Sequence, residues 1–274
     1  MLLNYITWTV NPILFHLGPL SVRWYGLLWA MGIYATLLIT QKIFKNEKLP
    51  EPWLDKLFMY TVIGAIVGAR LGHCLFYEWD YFSAHPLEIL YIWHGGLASH
   101  GGAIGILIAI YFYNKKVSKK GYIWVFDRLV IGVAICGAAI RMGNLMNSEI
   151  YGNATTLPWG FIFVKDPMGD GLAHHPTQIY EMIYCLLTFG VTWWLYWKKE
   201  AYKKTGLIFG VFLIGIFGSR FLLEFIKLDQ EAFESGMLLN MGQILSIPFI
   251  IWGIWLIIRS NKSAKEENPQ ISSK

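Results

Sequence analysis

Apolar runs recur along the chain at about 20–40, 57–77, 101–113, 123–145, 178–197, 206–226 and 241–258, separated by short polar stretches. Most approach the ~20 residues that carry a helix across a bilayer. The pattern predicts an all-α, polytopic membrane protein with seven transmembrane helices. The third run is short, and it spans only if the Gly-rich stretch 95–102 enters the membrane too, as a re-entrant segment buried in protein. One transmembrane catalytic domain, 1–259, is expected, with extracytoplasmic insertions at 78–100, 146–177 and 227–240. Residues 260–274 are polar, carry Lys and Glu of both signs, and read as a disordered cytoplasmic tail. Residues 81–93 suggest a short amphipathic helix on the outer surface.

Composition agrees with this layout. Of the 274 residues 55% are hydrophobic and 15% charged, against about 25% charged in an average soluble domain. Mean hydropathy is +0.43. Cys74, Cys136 and Cys185 are odd in number and each sits in an apolar run, so they read as small core residues and not as a disulfide framework. The stretch before the first run has no basic n-region and no small-residue cleavage site, which argues against a removable signal peptide.

A net charge of +5 raises the question of a nucleic-acid partner, and the placement of the charges answers it. Sixteen of the 23 basic residues fall in four clusters, around Lys42–Lys56, Lys115–Lys120, Lys198–Lys204 and Arg259–Lys274. These alternate with the apolar runs as the positive-inside rule requires, so no nucleic-acid groove is indicated. The N-terminus is then outside and the C-terminus cytoplasmic. The predicted outer segments carry only Lys165 and Lys227 as basic residues. Trp24, Tyr25, Trp79, Tyr81, Trp159 and Trp193 lie near run ends, where amphipathic rings anchor at headgroup level.

Ionisable side chains inside a span cost on the order of 3 kcal/mol, so those that remain are functional candidates. They are Arg70; Arg141 with Asn144, Asn147 and Glu149; His174, His175, Gln178 and Glu181; and Arg220 with Glu224. All fall in the predicted outer half of the membrane. Arg220 and Glu224 share a helix face at i, i+4 and read equally as an ion pair between helices or as part of a site. Arg70 reads as structural, satisfied by Glu78, Glu149 or a lipid headgroup. Arginines in an outer cavity suit an anionic partner, because guanidinium holds phosphate through paired hydrogen bonds. A phospholipid headgroup is the phosphate within reach. His100, bracketed by glycine pairs, either sits in a tight turn bonded to a carbonyl or serves as a base, and the adjoining arginine cavity favours the base. There is no Walker A pattern, no Gly-x-Ser-x-Gly elbow and no His-Glu-x-x-His pair. His174 and His175 with His94 and His100 make a poor zinc set, because adjacent helical histidines do not point at one ion.

The run Arg141-Met-Gly-Asn144-Leu-Met-Asn147-Ser-Glu149-Ile-Tyr-Gly152 resembles the signature of the prolipoprotein diacylglyceryl transferases, seven-span enzymes of the bacterial cytoplasmic membrane. Further stretches agree in order: Val22-Arg-Trp-Tyr25-Gly26, Gly95-Gly96 with His100-Gly101-Gly102, His175-Pro-Thr-Gln178-Ile-Tyr180-Glu181, Arg220 with Glu224, and Met241-Gly242-Gln243. One departure is Ile140, where the family has Gly before the arginine. The resemblance implies transfer of the diacylglyceryl group of phosphatidylglycerol to the lipobox cysteine of preprolipoproteins, the first step of lipoprotein maturation, with glycerol phosphate released. It implies no cofactor and no metal, a monomer as the working unit, and an active site facing the outer leaflet of the inner membrane. Catalysis is expected from His100, Arg141, Arg220 and Tyr25. Phosphatidylglycerol binding is expected from Arg141, Asn144, Asn147, Glu149, Gly152, Arg220 and Glu224. The competing expectation is a lipid or anion transporter with an arginine-lined cavity, which needs polar groups on both sides of the midplane.

Overall fold

The computed structural model describes residues 5–18, 20–91, 96, 98–167, 169–228 and 238–267. The chain is mostly helical and forms two compact units, one of residues 1–39 with 126–274 and one of residues 40–125.

Each of the seven apolar runs overlaps a helical segment. The helices are α1 (Trp24–Asn46), α2 (Glu51–Phe76), α3 (Trp79–Ala84), α4 (Ser99–Tyr113), α5 (Tyr122–Met146), α6 (Thr177–Lys198), α7 (Leu207–Leu213), α8 (Ser219–Leu223) and α9 (Met241–Glu267). A π turn at Ile214–Gly218 joins α7 to α8. Five of these segments are long and apolar enough to cross a membrane: α1, α2, α5, the bulged helix Leu207–Ile226, and Met241–Lys262 of α9. Those at runs three and five, α4 and α6, fall outside that set: α4 has 15 residues, and Gln178 and Glu181 dilute the apolar character of α6.

The expectation of an all-α chain needs one correction, because four short strands flank the helices. β1 (Ile6–Trp8) pairs in parallel with β4 (Phe161–Phe163), and β2 (Ile13–Leu17) forms an antiparallel pair with β3 (Leu20–Arg23). Residues 20–23, counted above with the first apolar run, therefore belong to a strand. The chain reverses near Gly18, whose φ of +60° is open to glycine at little cost. The surface helix expected over 81–93 is shorter: α3 ends at Ala84, and Pro86 opens a 3-10 turn to Leu90, because His85 before a proline is pushed out of the α region. Residues 95 and 97 of the proposed re-entrant stretch 95–102 lie outside the described residues, as do 92–94, 229–237 and 268–274, while Ser99 to Gly102 of that stretch open α4. α9 runs seven residues past Ser260, into the stretch read as tail.

In the smaller unit α2 and α4 pack along glycines. A Cβ on Gly68 would stand 2.3 Å from the Gly101 carbonyl oxygen, and one on Gly64 2.7 Å from that of Gly105. Backbones this close give dispersion contact that larger residues would prevent. The larger unit uses the same device where Gly210 meets Gly253 and Gly143 meets Tyr25. Its buried Asp127, on α5, accepts hydrogen bonds from the backbone N–H of Gly206 (2.7 Å) and Phe209 (2.8 Å) at the start of α7. A carboxylate there satisfies orphan donors and complements the helix dipole. Above the helices Leu145, Phe161 and Phe163 form a small apolar cap with Trp8 and Tyr151, and the Trp8 indole N–H donates to the Leu145 carbonyl.

Candidate functional site

Three segments of the larger unit bring the polar residues together: the end of α5, the start of α6, and the π-bulged helix at Leu207–Ile226. Arg141 leaves α5 with Nε 3.0 Å from Oε2 of Glu181, on α6. Its Nη1 donates to Asn144 Oδ1 at 3.3 Å. Asn144 and Asn147 both donate to Glu149 Oε1, at 2.8 and 3.1 Å. Gln178 ties this turn down by donating to the Glu149 carbonyl at 2.7 Å.

A second chain of charges starts from Arg220. Its Nε donates to Glu224 Oε1 at 3.3 Å, and Lys227 Nζ lies 3.7 Å from that oxygen and 2.8 Å from Glu181 Oε1. Arg141, Glu181, Lys227, Glu224 and Arg220 thus form one alternating row. The side chains of Glu181, Lys227 and Glu224 are at most 5% exposed, whereas Arg141 and Arg220 are 25% and 37% exposed. The interior charges compensate one another, as buried ions must. Arg141 keeps Nη2, and Arg220 both Nη groups, without a partner among the described residues. The π turn ends two residues before Arg220, and such bulges re-aim the side chains that follow.

Glycines and amides fit around this row. Gly242, on α9, leaves room for the Glu224 carboxyl, which a Cβ would approach to 2.5 Å, and Asn240 donates to Glu224 Oε2 at 3.2 Å. Gly152 forms an antiparallel bridge with Lys227 and receives no side chain: a Cβ there would stand 2.4 Å from the Ile226 carbonyl oxygen. Its place in the motif is explained by close packing. Asn147 Oδ1 and Gln178 Oε1 are buried with no hydrogen-bond partner among the described residues, so the turn beside the ionic row retains acceptor capacity.

Tyr25, the second residue of α1, lies against Gly143, two residues past Arg141, close enough for the charges of Glu149 and Arg141 to act on its hydroxyl. His100, the second residue of α4, belongs to the smaller unit and its side chain is exposed. Arg70, expected to meet Glu78, Glu149 or a lipid headgroup, meets backbone carbonyls. It is buried and donates to the carbonyls of Glu88 (2.7 Å), Ile89 (2.9 Å) and Gly96 (3.2 Å), with its guanidinium 4.9 Å from the Phe82 ring centroid. Glu78 lies by His73 instead, at 3.6 Å.

His174 and His175 precede α6 and are not on it. Nδ1 of His174 donates to the Gly152 carbonyl, and Nε2 lies 2.9 Å from Asp170. The hydrogen bond from His174, and next that from the Leu172 amide, hold the Asp170 carboxyl below the usual carboxylate range. Burial, and then the charge of His174, lower His175. Tyr151 stacks on Phe163 and donates to Asp166, and burial followed by that bond pushes its hydroxyl up to about 12. Among the described residues no three His, Cys, Asp or Glu side chains come together as a metal would need. The groove between α2 and α4, about 510 Å³ and floored by Gly64 and Gly68, is lined almost wholly by apolar atoms, so it lacks the few polar groups that orient a reacting ligand.

Sequence reasoning names Glu181 as a candidate without a specific role and Lys227 only as an outer basic residue, yet these two join the arginines. One signal was available: Lys227 follows Glu224 at i+3 and Arg220 at i+7, on one helical face. The pairing of Glu181 with Arg141, forty residues apart, has no local signal.

Comparison with known proteins agrees with this motif set. A family described as prolipoprotein diacylglyceryl transferase matches residues 12–259. A Porphyromonas gingivalis protein named phosphatidylglycerol–prolipoprotein diacylglyceryl transferase is 50% identical, covering 94% of this chain and 96% of its own. Proteins of the same name from Chloroherpeton thalassium and Tolumonas auensis are 46% and 45% identical, each covering 97% of its own length. The chain belongs to the prolipoprotein diacylglyceryl transferase family.

Proposed function

We propose that this protein transfers the diacylglyceryl group of phosphatidylglycerol to the thiol of a lipobox cysteine in preprolipoproteins. Family membership supports the reaction. The observation that carries its assignment to these residues is the row from Arg141 to Arg220, whose buried middle is charge-compensated while the two guanidiniums at its ends keep N–H donors without a partner among the described residues. Those donors suit a phosphodiester, which offers paired anionic oxygens.

In the reaction the thiolate attacks the lipid glycerol carbon that carries the phosphate. A C–S bond forms, the C–O bond breaks, and glycerol phosphate departs with the bonding pair. Arg141 and Arg220 stabilise the charge gathering on the leaving phosphate, an interaction stronger in the transition state than before it. A free thiol of pKa about 8.5 is mostly protonated at neutral pH, so His100, with Tyr25, takes or relays its proton. Asn144 and Glu149 orient Arg141; Asn147, with its unspent acceptor, meets the headgroup glycerol beside Gly152; and Glu224 fixes Arg220. No step requires a cofactor.

The same reading places seven spans in the bacterial cytoplasmic membrane, with the N-terminus outside, the C-terminus inside, the 95–102 segment re-entrant and the site toward the outer leaflet. Support comes from the alternating basic clusters and from helix lengths. α4 continues into a π turn at Asn114–Ser118, and twenty helical residues rise about 30 Å, one hydrocarbon core. The test is direct: purified protein, phosphatidylglycerol vesicles and a lipobox peptide are mixed, and the peptide mass is measured. A gain of one diacylglyceryl group is expected. Lipid movement between leaflets with no change in peptide mass would overturn the reading in favour of a transporter.

A further inference from the structure

Arg70 has no place in the chemistry above, yet it is a buried arginine within a helix long and apolar enough to cross a membrane. Its guanidinium donates in three directions. Nη2 and Nε hold the carbonyls of Glu88 and Ile89 at the end of the 3-10 turn, and Nη1 holds that of Gly96, four residues before His100. The Phe82 ring covers its face at 4.9 Å. One side chain thus fastens both the outward and the returning limb of the 78–98 connection to α2.

The beginning of α4 is fastened to the same helix turn. The Ala98 amide donates to the Ala69 carbonyl at 2.9 Å, and Gly101 lies against Gly68 and Gly72 so tightly that a Cβ on it would be 2.3 Å from the Gly68 carbonyl oxygen. Gly96 has φ +66°, and a Cβ there would strike the His73 ring at 2.5 Å and Arg70 Nη1 at 2.8 Å. His100 is therefore set on a helix start whose approach is fixed by Arg70 and whose packing tolerates no displacement.

We infer that Arg70 is a positioning residue for His100: it acts on the reaction by fixing the entry to α4, and not by binding phosphate. This rests on the reading that His100 moves the thiol proton. Lysine cannot replace it, because one ammonium on a flexible stem does not span carbonyls of residues 88, 89 and 96 together.

The experiment uses full-length protein in phosphatidylglycerol vesicles, with Arg70→Lys and, as a variant that leaves the arginine in place, Gly96→Ala. Two readouts are taken: kcat and KM in peptide lipidation, and the ring nitrogen resonances of His100, identified by their loss in His100→Gln. Both variants should lower kcat by on the order of 100-fold, the usual effect of misplacing a reacting group by about 1 Å. KM for phosphatidylglycerol should stay within about twofold, and the His100 ring signals should shift. On a His100→Gln background, Arg70→Lys should add little further loss, since both act through one group. A raised KM with unchanged kcat would make Arg70 a headgroup ligand and overturn the inference, as would wild-type ring signals in a variant that has lost activity. If His100→Gln stays active while Arg70→Lys shifts the ring signals, the proton-transfer reading fails and the clamp stands.

Discussion

At the level of single side chains, the arginines of this protein divide by what their partners leave over. Arg70 spends its donors on backbone carbonyls and is buried, whereas Arg141 and Arg220 each keep one edge exposed and unspent among the described residues. Buried charge left without its partner costs about 3–5 kcal/mol, so the acids between the two exposed arginines need Lys227 for stability as well as for placement. Arg141→Lys retains the charge but loses the fork that reaches Glu181 and Asn144 together. The expected result is a fall in kcat/KM of at least about 100-fold, of the size seen when one transition-state donor is removed, with folding retained. Near-normal lipidation by that variant, measured as peptide mass against time, would remove Arg141 from phosphate stabilisation.

At the level of elements, the site depends on where helices start, bulge and touch. Gly152 lets the 146–177 segment lie against the end of the bulged helix, and the bridge to Lys227 forms there. Gly152→Ala forces a Cβ toward the Ile226 carbonyl oxygen, an overpacking worth about 1–3 kcal/mol. A lower unfolding temperature and reduced activity are expected together, and an unchanged melting temperature would refute the packing role. The adjoining cap should also respond to acid. Asp170 has a lowered folded pKa, so its contribution is complete above the unfolded value of ~3.9 and is lost as pH falls through the lower folded value. His175 is lowered as well; its unfolded form takes up a proton first, so stability also declines as pH drops below ~6.5. Both act in one direction. Amide hydrogen exchange at Gly152 and Thr155, corrected for its intrinsic rate, should quicken from pH 7 to pH 3, and Asp170→Asn should flatten the lower part of that change.

For the molecule as a whole, the proposed layout in the membrane rests on charge placement and is open to a labelling test. On a background with Cys74, Cys136 and Cys185 replaced, cysteines introduced by Thr156→Cys and Lys116→Cys should behave oppositely toward a membrane-impermeant maleimide in intact cells. The first should react and the second should not; the reverse would invert the proposed orientation. Much of the helical fold was legible from residues in order, because apolar run length acts locally, one segment at a time. The seven helical stretches and the family motif around Arg141 could be found that way. The strands at residues 6–8 and 161–163 could not, since each is three residues long and exists only because its partner, about 150 residues distant, completes its hydrogen bonds. The same holds for the ionic row. Sequence order supplies Arg220 with Glu224 and Arg141 with Asn144, whose spacing puts them on shared helix faces. Only tertiary packing decides that Glu181 stands between Arg141 and Lys227, because that choice is made by glycine contacts and a π turn that set how whole helices meet, and a buried charge takes whichever opposite charge those helices deliver.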